Sequence, residues 1–273
     1  MQLKLATWNI NSVRLRLPNL KNLVETHNPD VIALQETKCA NEHFPHQAIK
    51  EMGYEHIAIN GQKSYHGVAI LSRLPLENTQ NHDFNSSGHT RHLQVDIKTP
   101  NARKKHPLQL HNFYIPAGGD IPDRKKNEKF GQKLDFLTNL TNWFKDKSNN
   151  HSERMILVGD LNIAPLPTDV WSHKQLLKVV SHTPIEVEHL QALQNSQNWQ
   201  DVMRQFVPET EPLFTWWSYR AKDWRASNRG RRLDHIWVSP KLATAATLMI
   251  VDDKKRDEEK ASDHAPVLAT LEI

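Results

Sequence analysis

Apolar and polar positions alternate at the start of the chain. Leu3, Leu5 and Thr7 fall between polar or small residues, the two-residue period of a strand. The polar turn Trp8-Asn9-Ile10-Asn11-Ser12 ends it. Pro18 then opens a helix with Leu20, Leu23, Val24 and His27 on one face, and Asn28-Pro29 closes it. Asp30 to Leu34 predicts a second short strand, running into Gln35-Glu36-Thr37-Lys38. Phe44 to Met52 predicts a short helix stopped by Gly53. Tyr54 to Ile59 and Gly67 to Leu71 predict paired strands joined through Asn60-Gly61, and Arg91 to Ile97 and Leu108 to Ile115 predict two more. Phe130, Leu134, Leu137, Thr141 and Phe144 recur at helical spacing in a long helix from about Arg124.

Met155-Ile156-Leu157-Val158 is a continuous apolar run, a short buried strand, and Gly159-Asp160-Leu161-Asn162 follows it. Beyond Pro165 the pattern loosens. Pro184 to Gln197 predicts a helix with Ile185, Leu190 and Leu193 inward. Leu233 to Val238, Ala243 to Val251 and Val267 to Ile273 predict the remaining strands. No repeat, linker or composition break interrupts residues 1–273, which read as a single domain.

The chain has 273 residues, 38% hydrophobic and 24% charged, a globular composition with enough length for a large core. Cys39 is the only cysteine, which excludes an internal disulfide and gives no support to a cysteine-based zinc site. Met1 to Leu5 lead into no signal-peptide core, and no apolar run reaches membrane-spanning length. A soluble cytoplasmic protein without membrane partners is expected. The net charge of +4 is compatible with a phosphate-rich partner without requiring one. Arg103-Lys104-Lys105-His106 reads as a solvated hairpin tip. Phe214 to Arg220 is densely aromatic, and Lys222 to Arg232 carries five arginines and lysines around Trp224.

The polar residues with chemical potential share one placement. Asn9, Glu36, Tyr114, Asp160 and Asn162 lie at or just past strand ends, while Asp234 and the pair Asp263-His264 lie at strand beginnings. Strands of alternating direction would bring all of them to one rim of a sheet. Singly, each has an ordinary reading: Asn9 a cap, Asp160 a turn former, Tyr114 a buried anchor, His264 a core histidine. Together, Glu36, Asp160, Asp234 and Asp263 would repel one another strongly. A hard cation such as magnesium relieves that repulsion, since carboxylate and carboxamide oxygens suit it. A His beside an Asp next to such a metal suits phosphate chemistry.

Trp8-Asn9-Ile10-Asn11, Leu34-Gln35-Glu36-Thr37-Lys38, Gly159-Asp160-Leu161-Asn162, Arg232-Leu233-Asp234 and Ser262-Asp263-His264-Ala265-Pro266 resemble, in this order, the motifs of the exonuclease III family of abasic-site endonucleases, within the endonuclease/exonuclease/phosphatase superfamily. The resemblance runs from Leu3 essentially to the end of the chain. It implies an α/β fold of the DNase I type: a four-layer sandwich of two facing mixed β-sheets flanked by helices. It implies magnesium-dependent cleavage of duplex DNA 5′ to abasic sites, with manganese substituting. Removal of 3′ blocking groups and 3′→5′ exonuclease action would use the same site. A monomer is implied, associated with the nucleoid if the source is a bacterium.

By the same resemblance, Glu36 would bind the metal with Asn9 beside it and Asp263 near. A second metal would sit at Asp160, Asn162 and His264. Asp160 would handle the proton of the attacking water or of the leaving 3′-oxygen. Asn162 would hold the scissile phosphate. His264, oriented by Asp234, would stabilise developing charge, and Tyr114 would donate to the phosphate or leaving group. Trp216 or Trp217 would wall the pocket for a flipped, base-free sugar. Arg220, Lys222, Arg225, Arg229 and Arg232 would lie along the DNA backbone. Arg231 replaces an apolar or aromatic pocket residue of familiar members, and Asn11 stands where some have Asp. Two other readings are a small-phosphate phosphoesterase of the same superfamily and a DNA-binding module without catalysis.

Overall fold

The alternation at the N-terminus becomes strand β1 (Gln2–Asn9), with Leu3 and Leu5 in one apolar layer and Ala6 and Trp8 in another. A strand apolar on both faces has to be covered twice, which dictates a layered architecture. The structure, a computed structural model, describes residues 1–99, 107–146, 149 and 151–273. After β1 come α1 (Leu17–His27), β2 (Val31–Gln35), α2 (His46–Glu51), β3 (His56–Asn60), β4 (Val68–Ser72), β5 (Leu76–Gln80) and β6 (His92–Ile97). Then follow β7 (Leu108–Tyr114), α3 (Glu128–Lys145), β8 (Arg154–Asp160), α4 (His173–Leu176), α5 (Pro184–Ser196), β9 (Gln200–Asp201) and α6 (Val202–Phe206). The remainder is β10 (Trp216–Trp217), α7 (Trp224–Ser227), β11 (Gly230–Arg231), β12 (Asp234–Val238), β13 (Ala246–Val251) and β14 (Val267–Glu272).

One sheet runs β13-β14-β1-β2-β4-β3 and the other β5-β6-β7-β8-β12-β9. The pairs β1–β2 and β7–β8 are parallel, and their neighbours are antiparallel, so both sheets are mixed. The sheets face each other across a core that holds Leu5, Val31 and Ile70 from one and Leu110, Ile156 and Ile236 from the other. Helices α1 and α2 cover the outside of the first sheet through Leu20, Leu23 and Ile49. Helices α3 and α5 cover the second through Phe136, Leu140, Leu190 and Leu193, packed with Leu157 and Trp237. Four layers result, as the motifs implied. Truncating a core residue such as Ile156 to Ala costs about 2–5 kcal/mol.

A polar bridge crosses the core near one edge. Gln35 donates to Asn112 Oδ1 at 2.7 Å, and the Asn112 amide donates to the carbonyls of Leu34 and Ala69, both at 2.9 Å. Buried amides bonded across a core fix how two layers align. At that same edge β1, β2, β7 and β8 end, and β12 begins with Asp234 paired to Asp160. The residues expected on the rim of one sheet come instead from the adjoining edges of two: β1, β2 and β14 bring Asn9, Glu36 and Asp263-His264, while β7, β8 and β12 bring Tyr114, Asp160 and Asp234.

Several local expectations are corrected. Helix α3 starts at Glu128, not near Arg124, because Asn127 Oδ1 caps it by accepting from the Lys129 N–H at 3.1 Å. Helix α2 starts at His46, after Pro45, and leaves Phe44 outside. Strand β5 was not predicted; mostly exposed at a sheet edge, it carries no apolar period. Ile185 faces solvent, because the inward stripe of α5 is Glu186, Leu190 and Leu193. The basic run Arg103 to His106 lies outside the described residues. Among the described residues no helix is long and apolar enough to cross a membrane.

Candidate active site

Strand β8 delivers Asp160 to the rim through Gly159, whose φ of +137° L side chains rarely adopt. A Cβ at 159 would stand 1.9 Å from the Phe113 carbonyl oxygen. Asp160 is buried among donors. Its Oδ1 accepts from the Asn162 N–H at 3.0 Å, and its Oδ2 from Asn9 Nδ2 at 2.8 Å and Asn162 Nδ2 at 3.1 Å. The Asn162 amide also donates to the Ile115 carbonyl at 2.9 Å. Burial pushes the Asp160 carboxyl up to about 7; His264 opposes the rise and Asp234 adds to it.

His264 stands between two carboxylates. Its Nδ1 is 2.8 Å from Asp234 Oδ2 and its Nε2 is 3.7 Å from Asp160 Oδ2. Burial opposes protonation, but Asp234 and Asp160 outweigh it and raise the imidazole to about 10. The Thr215 hydroxyl donates to Asp234 Oδ2 at 2.6 Å and accepts from the N–H groups of Leu233 and Asp234. Asp234 Oδ1 is buried and has no hydrogen-bond partner among the described residues. Ligand atoms of Asp160, Asp234 and His264 lie within 4.8 Å of one another, close enough to hold a metal ion.

Glu36 lies on the other side of Asn9. It occupies the left-handed region with φ +50°, a strained conformation of the kind that concentrates at functional sites. Its Oε1 accepts from Asn9 Nδ2 at 3.0 Å, and its Oε2 is 2.8 Å from the Lys38 ammonium. Burial disfavours its charge, yet Lys38 and Asn9 hold the carboxyl below its usual range. The ammonium on Glu36 shows that its carboxylate favours a cation beside it, and the carboxylate oxygens of Glu36 and Asp263 are the ligand type a hard divalent cation takes.

Tyr114 is buried close to Glu36. Burial and the Glu36 charge raise its phenol well above the usual range. Arg91 stacks 4.7 Å from its ring centroid. Asn11 accepts from Lys38 at 2.5 Å and donates to Asp263 Oδ1 at 3.1 Å, where an aspartate would meet Asp263 with like charge. Asp263 Oδ2 accepts from Trp216 Nε1 at 3.0 Å. Asn9 and Glu36 are thus in direct contact, while Asp263 is linked to them through Asn11 and Lys38.

These groups open into a cavity of about 900 Å³, lined also by Trp171, Trp216, Arg220, Arg229 and Arg231. The Arg229 guanidinium lies 4.8 Å from the Trp171 ring centroid and that of Arg231 5.2 Å from the Trp216 centroid. Arg231 Nη1 donates to Ser181 Oγ at 2.8 Å and to the Val180 carbonyl at 3.0 Å. Trp217 is mostly buried, tied to Asn228 Oδ1 at 3.0 Å, though it also borders the cavity.

The expectation that Arg232 lies along DNA is corrected. It is 1% exposed, with Nε 2.7 Å from Asp169 and Nη1 2.5 Å from Asp201. Neighbours in an extended chain point to opposite sides, so Arg231 takes the cavity and Arg232 the interior. Arg225 also has partners already, Asp253 and Asp257 on the surface. Lys38, Arg91, Trp171 and Thr215 also stand at the site, against Glu36, Tyr114, the cavity and Asp234 respectively. Of these only Lys38, within a quoted motif, carried a signal in the sequence.

The sequence pattern of the endonuclease/exonuclease/phosphatase family matches residues 6–264. Over 98% of its length the chain is 32% identical to exodeoxyribonuclease III of Haemophilus influenzae, covering 99% of that protein. A 3′ phosphatase from Neisseria, solved with a product DNA hairpin, superposes with a TM-score of 0.89 at 31% identity, covering 99% of this chain and 100% of that one. An AP endonuclease from Archaeoglobus fulgidus gives 0.87 at 30% identity, with the same coverage.

Proposed function

The chain belongs to the endonuclease/exonuclease/phosphatase family, and we propose that it is a magnesium-dependent DNA-repair nuclease. Residues 1–273 act as one catalytic domain, and as a monomer, on double-stranded DNA. They cleave the backbone 5′ to abasic sites and process 3′ ends as phosphodiesterase, phosphatase and 3′→5′ exonuclease. The observation that carries this reading is the row Asp160–His264–Asp234 at the foot of a cavity walled by tryptophan–arginine stacks. The polar row suits a phosphodiester, and the flat cationic walls suit a nucleic acid better than a small phosphate.

Asn9, Glu36 and Asp263 would hold the magnesium, for which manganese would substitute; Asp160, Asn162 and His264 would form a second candidate set only with the imidazole unprotonated. A cation held there would supply charge neutralisation at the phosphate. Asp160, with a carboxyl raised to about 7, exchanges a proton with the attacking water or the leaving 3′-oxygen near neutral pH. As water adds to phosphorus and the bond to the 3′-oxygen breaks, negative charge builds on the phosphate oxygens. Protonated His264 donates to one of them, held at Nδ1 by Asp234. Tyr114 donates its hydroxyl to the phosphate or leaving group, and Asn162 positions the scissile phosphate. Trp216 and Arg231 wall the base-free sugar, while Arg220 and Arg229 follow the backbone.

The test is a side-by-side assay of an abasic duplex, an intact recessed 3′ end and inositol phosphate, with magnesium and with chelator. Cleavage of the first two only is expected. Turnover of inositol phosphate alone supports a small-phosphate enzyme, and duplex binding without cleavage a module that has lost catalysis.

A further inference from the structure

A lysine without exposed surface lies beneath the cavity. Lys133, on α3, directs its ammonium to Glu186 Oε1 at 2.5 Å, the Asn162 carbonyl at 2.8 Å and the Ala117 carbonyl at 3.3 Å. Glu186, on α5, is equally buried. Both its oxygens accept from the Ser181 N–H at 2.9 Å, and Oε2 also accepts from the Thr183 hydroxyl at 2.6 Å. The Gly118 backbone packs on the lysine stem, where a Cβ would come 2.9 Å from Lys133 Cδ.

Stability is a poor reason for such a pair. Two charges in an interior lose their hydration, and well-packed apolar residues of similar volume often hold a core as firmly. The distinctive property is what the pair joins. Ala117 follows β7, Asn162 follows β8 and Ser181 precedes α5. Asn162 binds the Asp160 carboxylate through its backbone N–H and its amide. Val180 and Ser181 hold Arg231, which stacks on Trp216. We propose that Lys133 and Glu186 are positioning residues: this one buried ion pair sets Asn162, and through it Asp160, at a fixed distance from the Arg231–Trp216 wall. Neither residue lines the cavity. The proposal rests on the reading of this cavity as the place of phosphodiester cleavage.

The decisive variant is the double replacement Lys133→Met with Glu186→Gln, which leaves no unpaired charge behind and keeps an amide oxygen to accept from the Ser181 N–H and the Thr183 hydroxyl. It should melt within a few degrees of the parent. Its kcat on an abasic duplex should fall on the order of 10²-fold, since a misplacement of about 1 Å costs that much, with KM nearly unchanged. A double variant with parental melting and parental kcat overturns the proposal. Glu186→Gln, a milder change, serves if the double variant does not fold. Hydrogen exchange on it, without substrate, should show peptides covering 160–164 and 181–183 opening together while the sheets stay protected. Loosening of only one loop, or of neither, overturns the clamp. A parent protein inactive on every DNA substrate refutes the nuclease reading instead, and the exchange result still decides the clamp.

Discussion

Asp234 Oδ2 lies 2.8 Å from Nδ1 of His264 and turns the other ring nitrogen toward the cavity floor. The carboxylate both orients the ring and favours its protonation. Asp234→Asn keeps the shape and removes the charge, so His264 should lose its proton at lower pH. Cleavage should drop by ~10² or more, the range for losing a placed acid, and the basic limb of the pH–rate profile should move down. An unmoved profile would assign Asp234 a purely structural part.

Asp160→Asn should slow single-turnover cleavage by ~10²–10⁴, or roughly 3–5.5 kcal/mol, while duplex affinity holds or tightens. Stability should move the opposite way. The folded-state pKa of about 7 lies above the ordinary carboxylate value, so the folded protein binds this proton more tightly than the unfolded chain does. Ionised Asp160 therefore destabilises the metal-free protein increasingly as pH rises toward 7, and fully above it. In chelator at pH 8 the variant should melt higher than the parent. Lower melting with near-parental cleavage would mean the carboxylate is only a turn former.

The proposed metal site centres on Glu36, which rests on Lys38 in this structure. EDTA should abolish cleavage and added magnesium should restore it. Glu36→Gln should raise the magnesium needed for half-maximal rate by at least about tenfold, as losing a ligand charge weakens a hard-cation site. Full activity in EDTA rules the assignment out.

Trp216→Ala removes the surface on which Arg231 stacks. Abasic-site cleavage should suffer several-fold more than exonuclease action on an intact end, a modest difference in line with a lost stacking surface. Equal losses would point to general destabilisation.

A separate pH effect belongs to the second sheet. His92 lies 3.3 Å from His111, stacked on Phe113, and burial pushes its pKa down to about 3. The folded form therefore resists a proton that the unfolded chain accepts below about 6.5. Stability should fall as pH drops from 6.5 toward 3, by up to about 1.4 kcal/mol per pH unit for such a histidine. Melting curves across that range should be flatter for His92→Gln, and identical slopes would place the acid sensitivity elsewhere.

The central strands and their rim were legible because period-two burial and strand-end polar residues are local signals. Gly159 and Asp160 belong to that legible part. Edge strand β5 was not, since exposure erases the period. Thr215 and Arg91 act through partners that only the fold supplies. The step from Arg231 to Arg232 was readable in principle: alternate residues of an extended chain had to part, and one of two adjacent arginines had to turn inward. The stretch from 166 to 183 carries no period at all, and it holds Trp171 and Ser181.

Strand β14 does not sit at an edge; it lies in its sheet between β13 and β1, and Trp8 Nε1 donates to the His264 carbonyl at 2.9 Å. A ribosome must therefore have released residue 264 before the first strand can acquire its central neighbour and the site its imidazole. A chain that stops short of residue 264 would carry Asn9, Glu36 and Asp160 without the imidazole that stands between Asp160 and Asp234. In chain order, the imidazole of His264 is thus the last of these groups to be supplied, after Asn9, Glu36, Asp160 and Asp234.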